Sequence, residues 1–142
     1  MADDEILYRS IRAGRGGEYY IDQDGILRFT SQAFNDKSRE PSVDRAKMRN
    51  NNPTLSKKSP SDGIVSLVTS EIRAEKVPVD HSQNNNPTQY ILDVIPKRLP
   101  DNDSHAVIVP NPEYKNDKAY KRVKEKLAYL AGKHGWTVTP ME

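Results

Sequence analysis

Apolar residues are concentrated in short runs separated by polar segments that contain glycine or proline. A first run, residues 6 to 11, predicts a strand, and the two runs that flank the Asp-Gly turn at residues 24 and 25 predict a β-hairpin. The most apolar run, residues 63 to 72, predicts a strand inside a sheet because it has apolar side chains on both faces. Runs at 89 to 95 and 106 to 109 predict further strands.

A helical period appears near the C-terminal end of the sequence. Its apolar positions follow one another at steps of three, four, three and one, and so share one face: Tyr120, Val123, Leu127, Leu130 and Ala131. Asn116 or Asp117 can cap the first turn, and Gly135 suits the end. The pattern predicts an amphipathic helix over residues 116 to 134, after which Trp136 folds back onto the core.

Residues 35 to 62 interrupt this pattern. They are rich in Asn, Ser, Lys, Arg and Pro, and we expect a long polar loop with at most a short helix at 43 to 49, capped by Ser42. The pentapeptide Asn-Asn-Asn-Pro-Thr occurs at 50 to 54 and again at 84 to 88. Because the flanking residues do not align, shared turn composition explains the repeat better than an internal duplication.

Together these elements predict one α+β domain over residues 1 to 142. The fold is a mostly antiparallel sheet of about five strands with the C-terminal helix packed on it. The chain is 35% hydrophobic and 30% charged, which implies a modest core and much loop. Without a long apolar run or a basic leader, we expect no membrane association and a cytoplasmic location. The absence of cysteine excludes disulfides and thiolate chemistry.

The charge is unevenly distributed, although the net charge is only +2. Residues 115 to 134 carry seven basic and two acidic side chains. The candidate nucleic-acid-binding residues on the predicted helix are Lys118, Lys121, Arg122, Lys124 and Lys126. Three tyrosines could stack on bases: Tyr114, Tyr120 and Tyr129. The alternative is a solvated face, since lysine and arginine are good helix formers.

One catalytic hypothesis concerns ADP-ribosyl transfer. Arg9, Ser31 and Glu71 follow the order of the arginine, hydroxyl residue and glutamate of such enzymes. There the arginine holds a phosphate and the carboxylate stabilises an oxocarbenium-like transition state. The order alone supports this hypothesis, because the spacing is unconstrained, and three unrelated residues are the alternative.

A second catalytic hypothesis is a metal-independent ribonuclease. His81 and His105 would transfer protons, and Lys97 or Arg98 would stabilise the phosphorane. The candidate catalytic residues are therefore Arg9, Glu71 and His105. The histidines lack the spacing of a metal site, and the turn at 14 to 17 lacks the phosphate-loop lysine, so we expect no metal and no cofactor.

Several short segments carry a family resemblance. They are Ser42-Val43-Asp44, Gly63-Ile64-Val65-Ser66-Leu67 with Arg73 after it, His105-Ala106, and Leu127-Ala128 at the end of the lysine-rich helix. In these the chain resembles a loose group of small uncharacterised bacterial proteins from mobile or variable genomic neighbourhoods. The residues before His105 depart from the group's pattern. The resemblance implies bacterial origin and an accessory role, with a partner protein encoded nearby, but no reaction.

The sequence thus favours a small accessory or protein-interaction module without catalytic activity of its own, because the usual catalytic and cofactor motifs are absent. A nucleic-acid-binding module that uses the basic helix is the first alternative. An enzyme acting on nucleotides or RNA is the second.

Overall fold

The computed structural model describes residues 1–14, 16–78 and 89–141. Its strands, in chain order, are β1 (Ile6–Ile11), β2 (Tyr19–Ile21), β3 (Leu27–Phe29), β4 (Ser42–Arg45), β5 (Gly63–Val68), β6 (Lys76–Pro78), β7 (Gln89–Pro96), β8 (His105–Asn111) and β9 (Trp136–Val138). The helices are α1 (Thr69–Ala74) and α2 (Asp117–His134). Seven strands form one antiparallel sheet in the order β6-β7-β8-β4-β1-β5-β9, and β2 and β3 form a separate hairpin. The predicted α+β class is confirmed, with more strands than the five expected.

The core lies between the sheet and α2. β1 and β5 pair along their full length, from Ile6 opposite Val68 to Ile11 opposite Gly63. Alternate residues of a strand point to opposite faces, so one face of this pair contributes fully buried side chains to the core, and β7 and β8 add further ones. The second face has a smaller cluster of three buried residues, Tyr8, Ala46 and Ile64.

The helix α2 follows the predicted pattern closely. The side chain of Asn116 accepts a hydrogen bond from the Ala119 amide at 2.9 Å, which caps the first turn, and Gly135 ends the helix with a φ of 70°. The buried face contains all five predicted apolar residues together with Ala119 and Ala128. α2 packs on β3, on β5 and on the 3-10 turn Ser31–Phe34. The predicted C-terminal helix is confirmed.

The prediction of one long loop at residues 35 to 62 is wrong. β4 lies inside the sheet between β1 and β8, and the predicted helix at 43 to 49 is this strand followed by a 3-10 turn, Ala46–Arg49. The strand escaped prediction because only Val43 of its four residues is apolar. Its charged end is neutralised by a distant residue, since Arg45 Nε donates to Glu5 Oε1 at 2.7 Å.

The predicted strand at 63 to 72 is shorter in the structure. It ends at Val68, and Thr69 begins α1, whose first amides donate to backbone carbonyls of residues that precede β1. α1 packs against β7 and leads into β6 at the sheet edge. Trp136 folds back as predicted, and it does so as part of the edge strand β9.

Candidate functional site

The solvent-facing side of α2 is the most distinctive surface of the described residues. With about 3.6 residues per turn, the side chains outside the buried arc form one band along the helix. We call this band the α2 face: Lys118, Lys121, Arg122, Glu125, Lys126, Tyr129, Gly132 and Lys133. Tyr129 lies towards the C-terminal end of the band and is 62% exposed. Five basic residues and one acidic residue accompany it, so the α2 face combines an exposed aromatic ring with positive charge.

Two grooves flank Tyr129. The first, which we call the hairpin groove, has a volume of about 380 Å³ and lies between α2 and the β2–β3 hairpin, with apolar walls from Ile26, Leu27 and Phe29. The second, which we call the β6 groove, has a volume of about 350 Å³ and is lined by Val77 and Pro78 together with the charged residues Arg122, Glu125 and Lys126. Tyr129 and Glu125 line both grooves, so the tyrosine forms the ridge between them.

The hairpin is held in place by Trp136. The indole ring makes edge-to-face contacts with Tyr19 and Phe29, with centroid separations of 5.0 and 4.9 Å. Such contacts stabilise a defined ring geometry beyond the burial of area. The hairpin also exposes Tyr20, Ile21 and Ile26, which are between 47% and 61% accessible. The α2 face therefore borders a second exposed apolar region.

The structure separates the predicted nucleic-acid-binding residues into two groups. Lys118, Lys121 and Lys126 are exposed, and Arg122 lies beside them, with its Nη1 donating to the Pro78 carbonyl at 3.2 Å. Lys124 points elsewhere: its Nζ donates to Asn35 Oδ1 at 2.7 Å and lies 4.7 Å from the centroid of the Tyr120 ring. Lys124 therefore links α2 to the segment that follows the 3-10 turn at residues 31 to 34.

The three tyrosines considered for base stacking also differ in position. Tyr120 is 4% exposed and its hydroxyl donates to the Phe34 carbonyl at 2.6 Å. Tyr114 packs between Tyr90 and Tyr120, with ring centroids 5.2 and 5.3 Å away. Burial raises the pKa of the Tyr120 hydroxyl to about 12. Of these three rings, only that of Tyr129 is exposed and accessible to a partner.

Arg9, a candidate catalytic residue, is bound on several sides by the fold. Its Nε donates to the Ala33 carbonyl at 3.0 Å, its Nη1 to the Ser42 carbonyl at 2.8 Å, and its Nη2 to Asp36 Oδ1 at 2.7 Å. Its side chain is 10% exposed. Arg9 therefore joins β1 to the start of β4 and to the turn that carries Phe34, which is a structural use of an arginine fork.

Glu71 and His105 lie in different environments. Glu71 Oε1 is 2.6 Å from His134 Nε2, and its Oε2 is 3.4 Å from Lys133 Nζ. The hydrogen bond from His134 and the neighbouring positive charges lower the pKa of Glu71 despite partial burial. His105 and Arg9 both line a cleft on the face of the sheet that is turned away from α2. Glu71 does not line this cleft.

Within the described residues, the other predicted site residues do not assemble a reaction centre around Arg9, Glu71 and His105. Ser31 begins the 3-10 turn that follows β3, and Lys97 pairs with Glu40 at 3.3 Å. His81 and the second Asn-Asn-Asn-Pro-Thr copy lie outside the described residues. Within the described ranges, no group of three or more histidine or carboxylate side chains could hold a metal ion. In the same ranges, no helix has the length and apolar character needed to cross a bilayer.

Comparisons with protein-family models, with curated proteins and with solved structures found no match to this chain. The geometry of the α2 face and its grooves is therefore the basis for a functional proposal. The positive charges of the α2 face could be predicted from the sequence. The elements beside this face could not, because the hairpin and β6 come close to Tyr129 only in the folded chain. Ile26, next to the Asp-Gly turn, was the one feature of the local sequence that indicated the apolar wall of the hairpin groove.

Proposed function

We propose that the protein is a bacterial accessory module without catalytic activity of its own, which binds an acidic segment of another protein through the α2 face. The observation that carries the proposal is the position of Tyr129, which is exposed among basic side chains and forms the ridge between two grooves. Exposed aromatic side chains that can become buried beside a pocket are typical anchors of protein interfaces. A cytoplasmic partner encoded nearby fits the accessory role implied by the resemblance.

A protein segment suits this surface because it can use all of its parts. Apolar side chains of a partner would enter the hairpin groove and the β6 groove, and its carboxylates would approach Lys118, Lys121 and Lys126. The grooves lie one on each side of Tyr129. A phosphate backbone would contact the lysines but would leave the apolar wall of the hairpin groove uncovered.

Nucleic-acid binding is the second candidate. It is favoured by one observation, which is that the exposed ring of Tyr129 lies among basic side chains that could contact phosphates. The enzymatic alternative has less support, since the donors of Arg9 are engaged in bonds within the fold and Glu71 is paired with His134.

The proposal is tested by placing a photo-reactive amino acid at position 129 in the native cells. The matched control carries it at Ile91, an apolar residue that is 52% exposed on β7. We expect position 129, but not position 91, to form a covalent adduct with a protein, at an acidic stretch identified by mass spectrometry. Reversal of charge at Lys118, Lys121 and Lys126 should abolish this adduct. An adduct that nuclease digests, or equal labelling from both positions, would contradict the proposal.

A further inference from the structure

A polar cleft opens on the second face of the sheet, away from α2. Its volume is about 230 Å³, and it lies where β1 and β4 meet the segment of residues 49 to 58. Ser10 Oγ donates to Asp62 Oδ2 at 2.7 Å and accepts from the Lys58 amide at 3.2 Å, which ties this segment to β1. The cleft is thus a fixed part of the fold, formed by strands and by a segment bonded to them.

Positive charge dominates the lining of the cleft. Arg49, Lys57 and Lys58 line it, against the carboxylate of Asp44, and the guanidinium of Arg9 in the same lining is already paired with Asp36. Asp44 Oδ2 accepts from Arg49 Nη2 at 3.3 Å, and Asp44 Oδ1 accepts from Asn102 Nδ2 at 2.9 Å, so the carboxylate is occupied in holding two other side chains of the lining. In the described part of the chain, Lys58 makes no ion pair. A site with this balance attracts an anion.

One buried hydroxyl group of the lining lacks a partner within the described residues. Ser56 is 7% exposed, and its Oγ has no hydrogen-bond partner there. Because buried hydroxyl groups are ordinarily satisfied, this Oγ is a group that a bound ligand can complete. His105 Nδ1 lies 2.7 Å from the Lys97 carbonyl, a contact that holds the imidazole ring in the lining.

The rim of the cleft is apolar. Leu55 and Leu99 line it, and they are 49% and 39% exposed. The ring of Tyr8 is almost fully buried in the same lining. A ligand that fits must therefore place negative charge near the basic residues and an apolar part near the two leucines.

We infer that this cleft binds a small phosphate monoester, with its phosphate between Arg49, Lys57 and Lys58 and its apolar part against Leu55 and Leu99. A phosphate monoester carries close to two negative charges at neutral pH and three strong acceptor oxygens, which matches the excess of donors. The site is separate from the α2 face, so either proposal can fail without the other.

The test is titration calorimetry with phenyl phosphate, inorganic phosphate and phenol. We expect saturable binding of one phenyl phosphate per chain, weaker binding of inorganic phosphate, and none of phenol. The double variant Lys57→Gln, Lys58→Gln should weaken the binding of phenyl phosphate by about tenfold or more, because hydrogen bonds between charged groups are worth at least this factor. The matched control is Lys118→Gln, Lys121→Gln, which removes the same charge from the α2 face and should leave affinity unchanged.

Two results would overturn the inference: absence of saturable binding, or equal weakening in both double variants. Amide shifts in the unmodified protein keep the test independent of how well the variants fold. Phenyl phosphate should shift the amide resonances of Tyr8, Asn102 and His105. Shifts confined to α2 would place the ligand elsewhere and contradict the proposed site.

Discussion

Two neighbouring tyrosines show that the contribution of a buried hydroxyl group to stability depends on whether it has a hydrogen-bond partner. The Tyr120 hydroxyl donates to the Phe34 carbonyl at 2.6 Å and accepts from the Asp36 amide at 3.1 Å. The Tyr114 hydroxyl, in the adjacent ring, is buried, and among the described residues it has no partner. The two residues are chemically identical and only 5.3 Å apart between ring centroids, yet one bonds the backbone and the other does not.

We therefore predict that removing the two hydroxyl groups has different effects on the free energy of unfolding. Tyr120→Phe should lower the free energy of unfolding by roughly 1–3 kcal/mol, because it leaves a buried carbonyl and a buried amide unpaired. Tyr114→Phe should be neutral or stabilising, because it removes a buried hydroxyl that has no partner. Urea unfolding of both variants measures the difference. Equal destabilisation by the two substitutions would show that the bonds of Tyr120 do not contribute as described.

At the scale of elements, α2 was predictable because its signals are local. The cap, the apolar period and the terminal glycine all fall within the helix or directly beside it. β4 was not predictable, because its polar residues are compensated at a distance: Arg45 by Glu5, and Asp44 by Arg49 and Asn102. A strand whose side chains need such partners looks like a loop when only its own residues are considered.

Two glycines, one in β5 and one in α2, differ in how closely neighbouring elements pack against them. A β-carbon at Gly63 would lie 2.6 Å from Trp136 Cζ3 and 2.9 Å from Pro140 Cδ, so Gly63→Ala should cost about 1–3 kcal/mol by overpacking the β5–β9 contact. A β-carbon at Gly132 would lie 4.0 Å from Phe29, an ordinary contact. Gly132→Ala should stabilise α2 by about 0.5–1 kcal/mol. Thermal unfolding measures both, and a stable Gly63→Ala variant would contradict the packing of Trp136.

At the scale of the molecule, paired carboxylates couple folding to pH, and Glu5 and Asp36 are among them. Burial alone would raise the pKa of Glu5 and of Asp36, but the hydrogen bonds and charges of Arg45 and Arg9 outweigh it and hold both pKa values below their ordinary range. A carboxyl group with a lowered pKa in the folded state stabilises the fold above its unfolded pKa. That stabilisation is lost as the pH falls through the folded pKa.

We predict that the free energy of unfolding is level above about pH 5 and falls as the pH drops through and below about 4. Glu5→Gln should reduce the slope in that range, because the amide does not titrate there. Asp101→Asn is the control, since the carboxylate of Asp101 is exposed in the turn between β7 and β8. An unchanged slope in Glu5→Gln would mean that the pairing of Glu5 with Arg45 does not set the acid sensitivity.

The candidate site was only partly predictable at this scale. The positive charges of α2 are visible in the sequence, and four of the five predicted residues lie on the α2 face. Lys124 instead joins α2 to Asn35, and the grooves arise because Trp136 holds the hairpin and β6 borders the other side of the helix. Such neighbours come from contacts between residues that are distant in sequence.

The central claim is that the α2 face binds an acidic protein segment by means of Tyr129 and its two grooves. The most direct measurement is an amide-shift titration of the labelled protein with a synthetic peptide in which glutamate alternates with leucine and phenylalanine, beside a single-stranded oligonucleotide. We predict that the peptide shifts residues around Tyr129, Ile26 and Val77, and that Tyr129→Ala weakens this binding. Peptide-induced shifts that are absent, or that lie away from α2, would contradict the claim, as would tighter binding of the oligonucleotide to the same residues.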